Sequence, residues 1–102
     1  MAEFLSRDGW KIVKLSATGP AADVTVTAGG AANVDLTIGT SMYNVKAIEA
    51  LVSVSGLPDG AVLAGVSYPD LSTVRLRVFN PTGADVTVSA GSVTAYVLAK
   101  AL

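Results

Sequence analysis

The chain of 102 residues reads as an all-β protein, an antiparallel β-sandwich of about eight short strands. Three observations predict this. Val, Thr and Ile together supply 27 residues, and β-branched side chains are stiff at χ1 and suit a pleated surface better than a helix. Ten Gly and four Pro punctuate the chain at short intervals, the spacing of strands joined by turns. No window carries a helical apolar stripe with charges opposite it.

Each element follows from its local pattern. Trp10 to Ala17 is the first expected strand, closed by Thr18-Gly19-Pro20. Ala22 to Ala28 alternates, with Val24, Val26 and Ala28 facing one way and Asp23, Thr25 and Thr27 the other. Gly29-Gly30 turns the chain, and Asn33 to Ile38 alternates again with Val34, Leu36 and Ile38 inward. Two such runs around a glycine loop predict a hairpin. Val45 to Ser55 is apolar on both faces in its middle, which predicts a central strand with a bulge near Glu49. Gly56-Leu57-Pro58-Asp59-Gly60 is a turn. Ala61 to Tyr68 follows it, ended by Pro69-Asp70. Ser72 to Phe79 sets Val74, Leu76 and Val78 against Arg75 and Arg77. Asn80-Pro81-Thr82-Gly83 turns, Ala84 to Ala90 is a strand, and Val93 to Ala99 is the last. The expected core is Val24, Val26, Val34, Leu36, Val52, Val54, Val74, Leu76, Val78, Val86, Val88 and Val97. An internal echo links Ala22–Gly29 to Ala84–Gly91, identical at seven of eight positions. Either β-hairpins draw on one small alphabet, or the two segments play equivalent roles, as edge strands for example.

Composition narrows the function. Seven Lys+Arg against eight Asp+Glu leave a net charge of -1, without the basic excess of a nucleic-acid binder. The absence of Cys and His removes disulfides, thiol nucleophiles and the usual transition-metal ligands. No cofactor and no metal are expected. The acids Glu3, Asp8, Asp23, Asp35, Glu49, Asp59, Asp70 and Asp85 fall mostly at turns or outward positions, where carboxylates are solvated rather than poised for acid–base work. A non-enzymatic protein is expected. Asp23 and Asp35 are the one pair that the predicted first hairpin brings near each other, as hard-cation ligands. The N-terminus is acidic where a signal peptide needs an apolar run, and the longest apolar stretch near the C-terminus, Ala95 to Ala99, falls far short of a membrane span. Synthesis in a cytoplasm and no membrane partner are expected.

Surface residues suggest contacts instead. Arg75 and Arg77 alternate on one strand face, as a cationic stripe for an acidic partner or as a solvated face. Residues 1–18 form a polar N-terminal segment that contains the possible first strand and is a candidate attachment arm, before a sandwich domain at 19–102. Phe4, Leu5 and Trp10 stand among its charges like apolar anchors in a polar rim. Val45–Ser55, Ala61–Tyr68 and Val93–Ala99 are apolar on both faces, and a small sandwich has one inner face per sheet to bury them. A homo-oligomer would cover the rest.

Thr73-Val74-Arg75-Leu76-Arg77-Val78-Phe79-Asn80-Pro81-Thr82-Gly83-Ala84-Asp85-Val86, the final Thr94-Ala95-Tyr96-Val97-Leu98 strand and Leu57-Pro58-Asp59-Gly60-Ala61-Val62 together resemble the small β-sandwich structural proteins of tailed bacteriophages. The resemblance covers roughly residues 20 to 100. It implies a virion component, foremost a capsid decoration or cement protein that binds and stabilises the head, and a trimer that contacts the major capsid protein or other virion proteins. A tail or fibre module remains open on the same residues. So does a carbohydrate- or protein-binding sandwich of a bacterial surface system, although its exposed aromatics would be few.

Overall fold

Antiparallel ladders account for nearly all the regular structure in the computed structural model, which describes residues 3–5 (backbone only), 11–39 and 44–102. The described residues form nine strands: β1 Glu3–Leu5, β2 Lys11–Gly19, β3 Val24–Val26, β4 Ala31–Ile38, β5 Val45–Ser55, β6 Val62–Asp70, β7 Thr73–Phe79, β8 Val86–Val88 and β9 Val93–Ala101. Seven form one sheet in the order β5-β9-β2-β4-β7-β6, with β1 beside the start of β2. β3 and β8 form a separate two-stranded ribbon. The all-β, two-sheet architecture is the expected one.

The large sheet has two halves. β2 pairs with β9 along its whole length, from Lys11↔Ala101 to Gly19↔Val93. It meets β4 only at Ala17↔Ile38 and Thr18↔Thr37. The β5-β9-β2 half and the β4-β7-β6 half therefore overlap over a short stretch, which fits a molecule of 51 × 21 × 20 Å. The alternation read from sequence holds in the interior strands. Val13, Leu15 and Ala17 of β2, Val34, Leu36 and Ile38 of β4, Val74, Leu76 and Val78 of β7, and Val93, Ala95, Val97, Ala99 and Ala101 of β9 are buried in one cluster, joined by Val26 and Val88 of the ribbon.

Several expectations fail for physical reasons. Ala22–Ala28 does not form a hairpin with Asn33–Ile38: β3 pairs with β8, and β4 pairs with β7. The Gly29-Gly30 turn lifts β3 out of the large sheet, and Ala28 is exposed instead of inward. Val45–Ser55 has the expected bounds but is an edge strand, not a central one. Its register against β9 slips between Val45 and Ala47, Ile48 and Ala50, and Leu51 and Ser53, the middle slip bracketing Glu49. Each bulge adds a residue on one strand only, so the inward positions recur every third residue: Val45, Ile48, Leu51 and Val54 all pack on the core. Val52, expected in the core, is 50% exposed. The two-faced appearance of this strand is partly that change of period. β6 has two slips of its own, so both outer strands of the sheet carry the irregularities that discourage edge-to-edge pairing. Pro69 lies inside β6 instead of ending it, tolerated because an edge strand has a free N–H side.

Candidate functional site: two outer faces and a structural turn

The echoed segments pair with each other. Val24↔Val88, Thr25↔Thr87 and Val26↔Val86 place equivalent residues of the two copies across one ladder in reciprocal fashion. The Asp85 carboxylate accepts the Ala28 N–H at 3.0 Å, and Asp23 accepts the Ala90 N–H at 2.7 Å. Gly29 and Gly91 adopt nearly the same positive φ, 72° and 70°. The equivalent-role reading is the right one, with the two segments as mutual partners. Asp23 is thus a clamp on Ala90, and Asp35 is held by an arginine on β7. The hairpin that was to join Asp23 and Asp35 does not form, although both carboxylates line one depression beside Pro20, Asn33 and Thr73. Among the described residues no group of three carboxylates is placed to hold a metal ion.

The Asn80-Pro81-Thr82-Gly83 turn is a structural lock. Asn80 is fully buried. Its Nδ2 donates to Val26 O at 3.0 Å and to Ala84 O at 2.7 Å. Its Oδ1 accepts the Thr82 N–H at 3.0 Å and the Thr82 hydroxyl at 2.6 Å. Its backbone exchanges two hydrogen bonds with Gly29 and Gly30. One side chain thus ties the end of β7 to the ribbon, and every polar atom of its amide is used, as a buried amide requires.

The outward face of β4-β7-β6 carries the two arginines in cross-strand rows. Asp35↔Arg75↔Ser67 is one row and Asn33↔Arg77↔Gly65 the next; Ala31↔Phe79↔Val62 lies beyond. The arginines differ. Arg75 closes a fork on Asp35, Nε to Oδ1 at 2.9 Å and Nη2 to Oδ2 at 3.1 Å. The hydrogen bond from Arg75 and its charge hold the Asp35 carboxyl below the usual carboxylate range. Arg77 reaches only the neutral Asn33 amide, Nη1 to Oδ1 at 3.1 Å. Asp70, at the β6–β7 turn, is also held low, by the Ser72 N–H and by the hydroxyls of Thr73 and Ser72.

The outward face of β5-β9-β2 is different in kind. Ala50↔Leu98↔Lys14 and Ser53↔Tyr96↔Ser16 are its central rows. Tyr96 is 38% exposed, with Lys14 Nζ 4.7 Å from its ring centroid. Lys100 Nζ lies 3.9 Å from a Glu49 carboxylate oxygen. With exposed Val52 nearby on β5, this is an apolar centre edged by lysines.

Of the sequence-predicted site residues, Arg75 and Arg77 are adjacent on β7 and face outward. Phe4 and Leu5 fall in β1, paired to Ile12 and Lys11; their side chains and Trp10 lie outside the described residues. From Lys11 onward the 1–18 segment is an interior strand, so an arm would be confined to the residues before it. Sequence reasoning missed Tyr96, Leu98 and Lys14 as one surface, because pairing between β2 and β9 joins residues more than eighty positions apart. No family model, curated protein or solved structure matches the chain.

Proposed function

We propose that the protein is a non-enzymatic structural component of a bacteriophage virion, a capsid decoration protein that binds the assembled head and stabilises it. The observation that carries this reading is the outward face of β5-β9-β2. Tyr96, Leu98, Ala50 and Val52 are set there on a paired sheet, with no element packed over them among the described residues, beside Lys14, Lys100 and Glu49. An apolar centre with a charged border is how protein–protein interfaces are built. Aromatic anchors on regular strands lose little entropy on docking. The resemblance of residues 20 to 100 to phage structural proteins supports the setting, and the partners are then further copies of the chain, as a trimer, and the major capsid protein or other virion proteins.

The mechanism is mass action. Each bound copy bridges neighbouring shell subunits and adds contact area to the intact lattice, not to a ruptured one. Binding to one state only stabilises that state, and many simultaneous contacts multiply modest affinities. The test is to add the protein to undecorated shells. Binding at saturable stoichiometry with a raised shell melting temperature is expected, and Val52→Lys should weaken it without lowering the protein's own melting temperature. Sedimentation equilibrium should give about three times 10.3 kDa. A protein that neither binds shells nor raises their melting temperature overturns the decoration reading.

A further inference from the structure

We infer that Arg77, and not Arg75, is a docking cation that receives a carboxylate from the acidic surface of a partner protein. This rests on the docking reading above for the partner's identity and adds the chemistry of a second contact face. The two arginines look equivalent in sequence, two residues apart on one strand face. Their surroundings separate them. Arg75 spends Nε and Nη2 on both oxygens of Asp35, so its fork is filled and its charge balanced. Arg77 spends one N–H on the neutral Asn33 amide. No carboxylate forms an ion pair with it among the described residues. That single bond positions the guanidinium and leaves its remaining donors, among its five N–H groups, for an incoming anion.

The surroundings complete a receptor. Gly65 is the cross-strand neighbour of Arg77 on β6. A Cβ there would make only ordinary contact with the Arg77 side chain, so the missing side chain opens space without being forced by crowding. The result is a depression of about 370 Å³ lined by Asn33, Gly65, Val66, Ser67, Arg75 and Arg77. Exposed Phe79 (37%) and Val62 (49%) form the apolar row along one side. Charge complementarity thus selects an Asp or Glu side chain on a partner, with apolar contact beside it. Arginine is among the residue types enriched at interface hot spots.

The experiment is a titration of the ¹⁵N-labelled full chain with an acetylated tetraglutamate peptide. The tetraglutamine peptide serves as control at matched ionic strength. Saturable shifts are expected at Arg77 Nε–H, the Asn33 side-chain amide and the Gly65 backbone amide. They should vanish in Arg77→Gln and persist in Arg75→Gln. Shell binding is read in parallel, where Arg77→Gln should weaken binding about tenfold with an unchanged melting temperature. Shifts equal for both peptides, or abolished by Arg75→Gln instead, overturn the inference. So does Arg77→Gln binding shells as well as the parent. If the parent shows the tetraglutamate shifts but binds no shells, the decoration reading fails and the carboxylate site stands.

Discussion

Replacing Asn80 with Ala tests whether one buried amide holds the ribbon on the large sheet. The substitution deletes four side-chain hydrogen bonds. Their losses are unequal. Ala84 O, 2.9 Å from the Thr82 hydroxyl, takes the proton that Asn80 Oδ1 gives up, and Thr82 is exposed, so water replaces what the turn loses. Val26 O has no such relief, because Val26 and the Asn80 site are both fully buried. An orphaned buried acceptor costs about 1–3 kcal/mol, and each replaceable bond about 0.5–1.5 kcal/mol. One orphan and three replaceable bonds, with the small void left by the amide, sum to about 3–7 kcal/mol. That is a large part of the ~5–15 kcal/mol that holds a typical domain. Chemical denaturation at neutral pH measures it as a fall in midpoint at unchanged slope, and a scan should show a drop of at least about 12 °C. Thr82→Ala is the control: it leaves Asn80 Oδ1 the Thr82 N–H and otherwise removes hydroxyl bonds of an exposed residue, so it should cost less than about 1.5 kcal/mol. A loss below about 1 kcal/mol for Asn80→Ala, or equal losses for the two variants, would refute the reasoning.

The reciprocal ribbon predicts that Asp23→Ala and Asp85→Ala each cost about 1 kcal/mol and agree within error by denaturation; a twofold or greater disparity contradicts their equivalence. Gly56 sits at φ 92° with its would-be Cβ against the Ser92 carbonyl. Gly56→Ala should therefore destabilise by more than about 1 kcal/mol through backbone strain and that clash, and an unchanged midpoint would argue against the β5–β6 crossover path. Arg75 lowers the Asp35 pKa on folding, so the pair adds stability above the ordinary carboxylate value, and the gain is lost as pH falls through the lowered one. Because the pair is half-exposed, its contribution is well under about 1 kcal/mol. The acid limb of the midpoint-against-pH curve should be measurably shallower in Arg75→Gln, and identical limbs would remove the pair from the account.

Much of the fold is readable along the chain because alternation is a local property. Val34-Asp35-Leu36-Thr37-Ile38 and Val74-Arg75-Leu76-Arg77-Val78 each state which face is buried, and the structure agrees at every one of those positions. The turns at Gly29, Gly56, Gly60 and Gly91 are equally local, because only glycine adopts their positive φ without strain. The candidate site was legible only in part. Arg75 and Arg77 could be placed on one face, but nothing near them in sequence says that Asp35, forty residues earlier, would neutralise one and leave the other.

Strand content, the inward faces of the regular interior strands, turn positions and the scarcity of ionisable chemistry were thus settled by the residues themselves, through stereochemistry and hydropathy that act over a few neighbours. Which strand lies beside which was decided by the tertiary structure. The pairing of β3 with β8 instead of β4, the edge position of β5 and its bulged three-residue period, and the apolar surface of Tyr96, Leu98 and Val52 all depend on ladders between distant segments. Ladder hydrogen bonds are made by backbone groups that every residue but proline carries alike. A strand's sequence therefore names its buried face but not its neighbour, and the neighbour is chosen when burial of the whole core is satisfied at once.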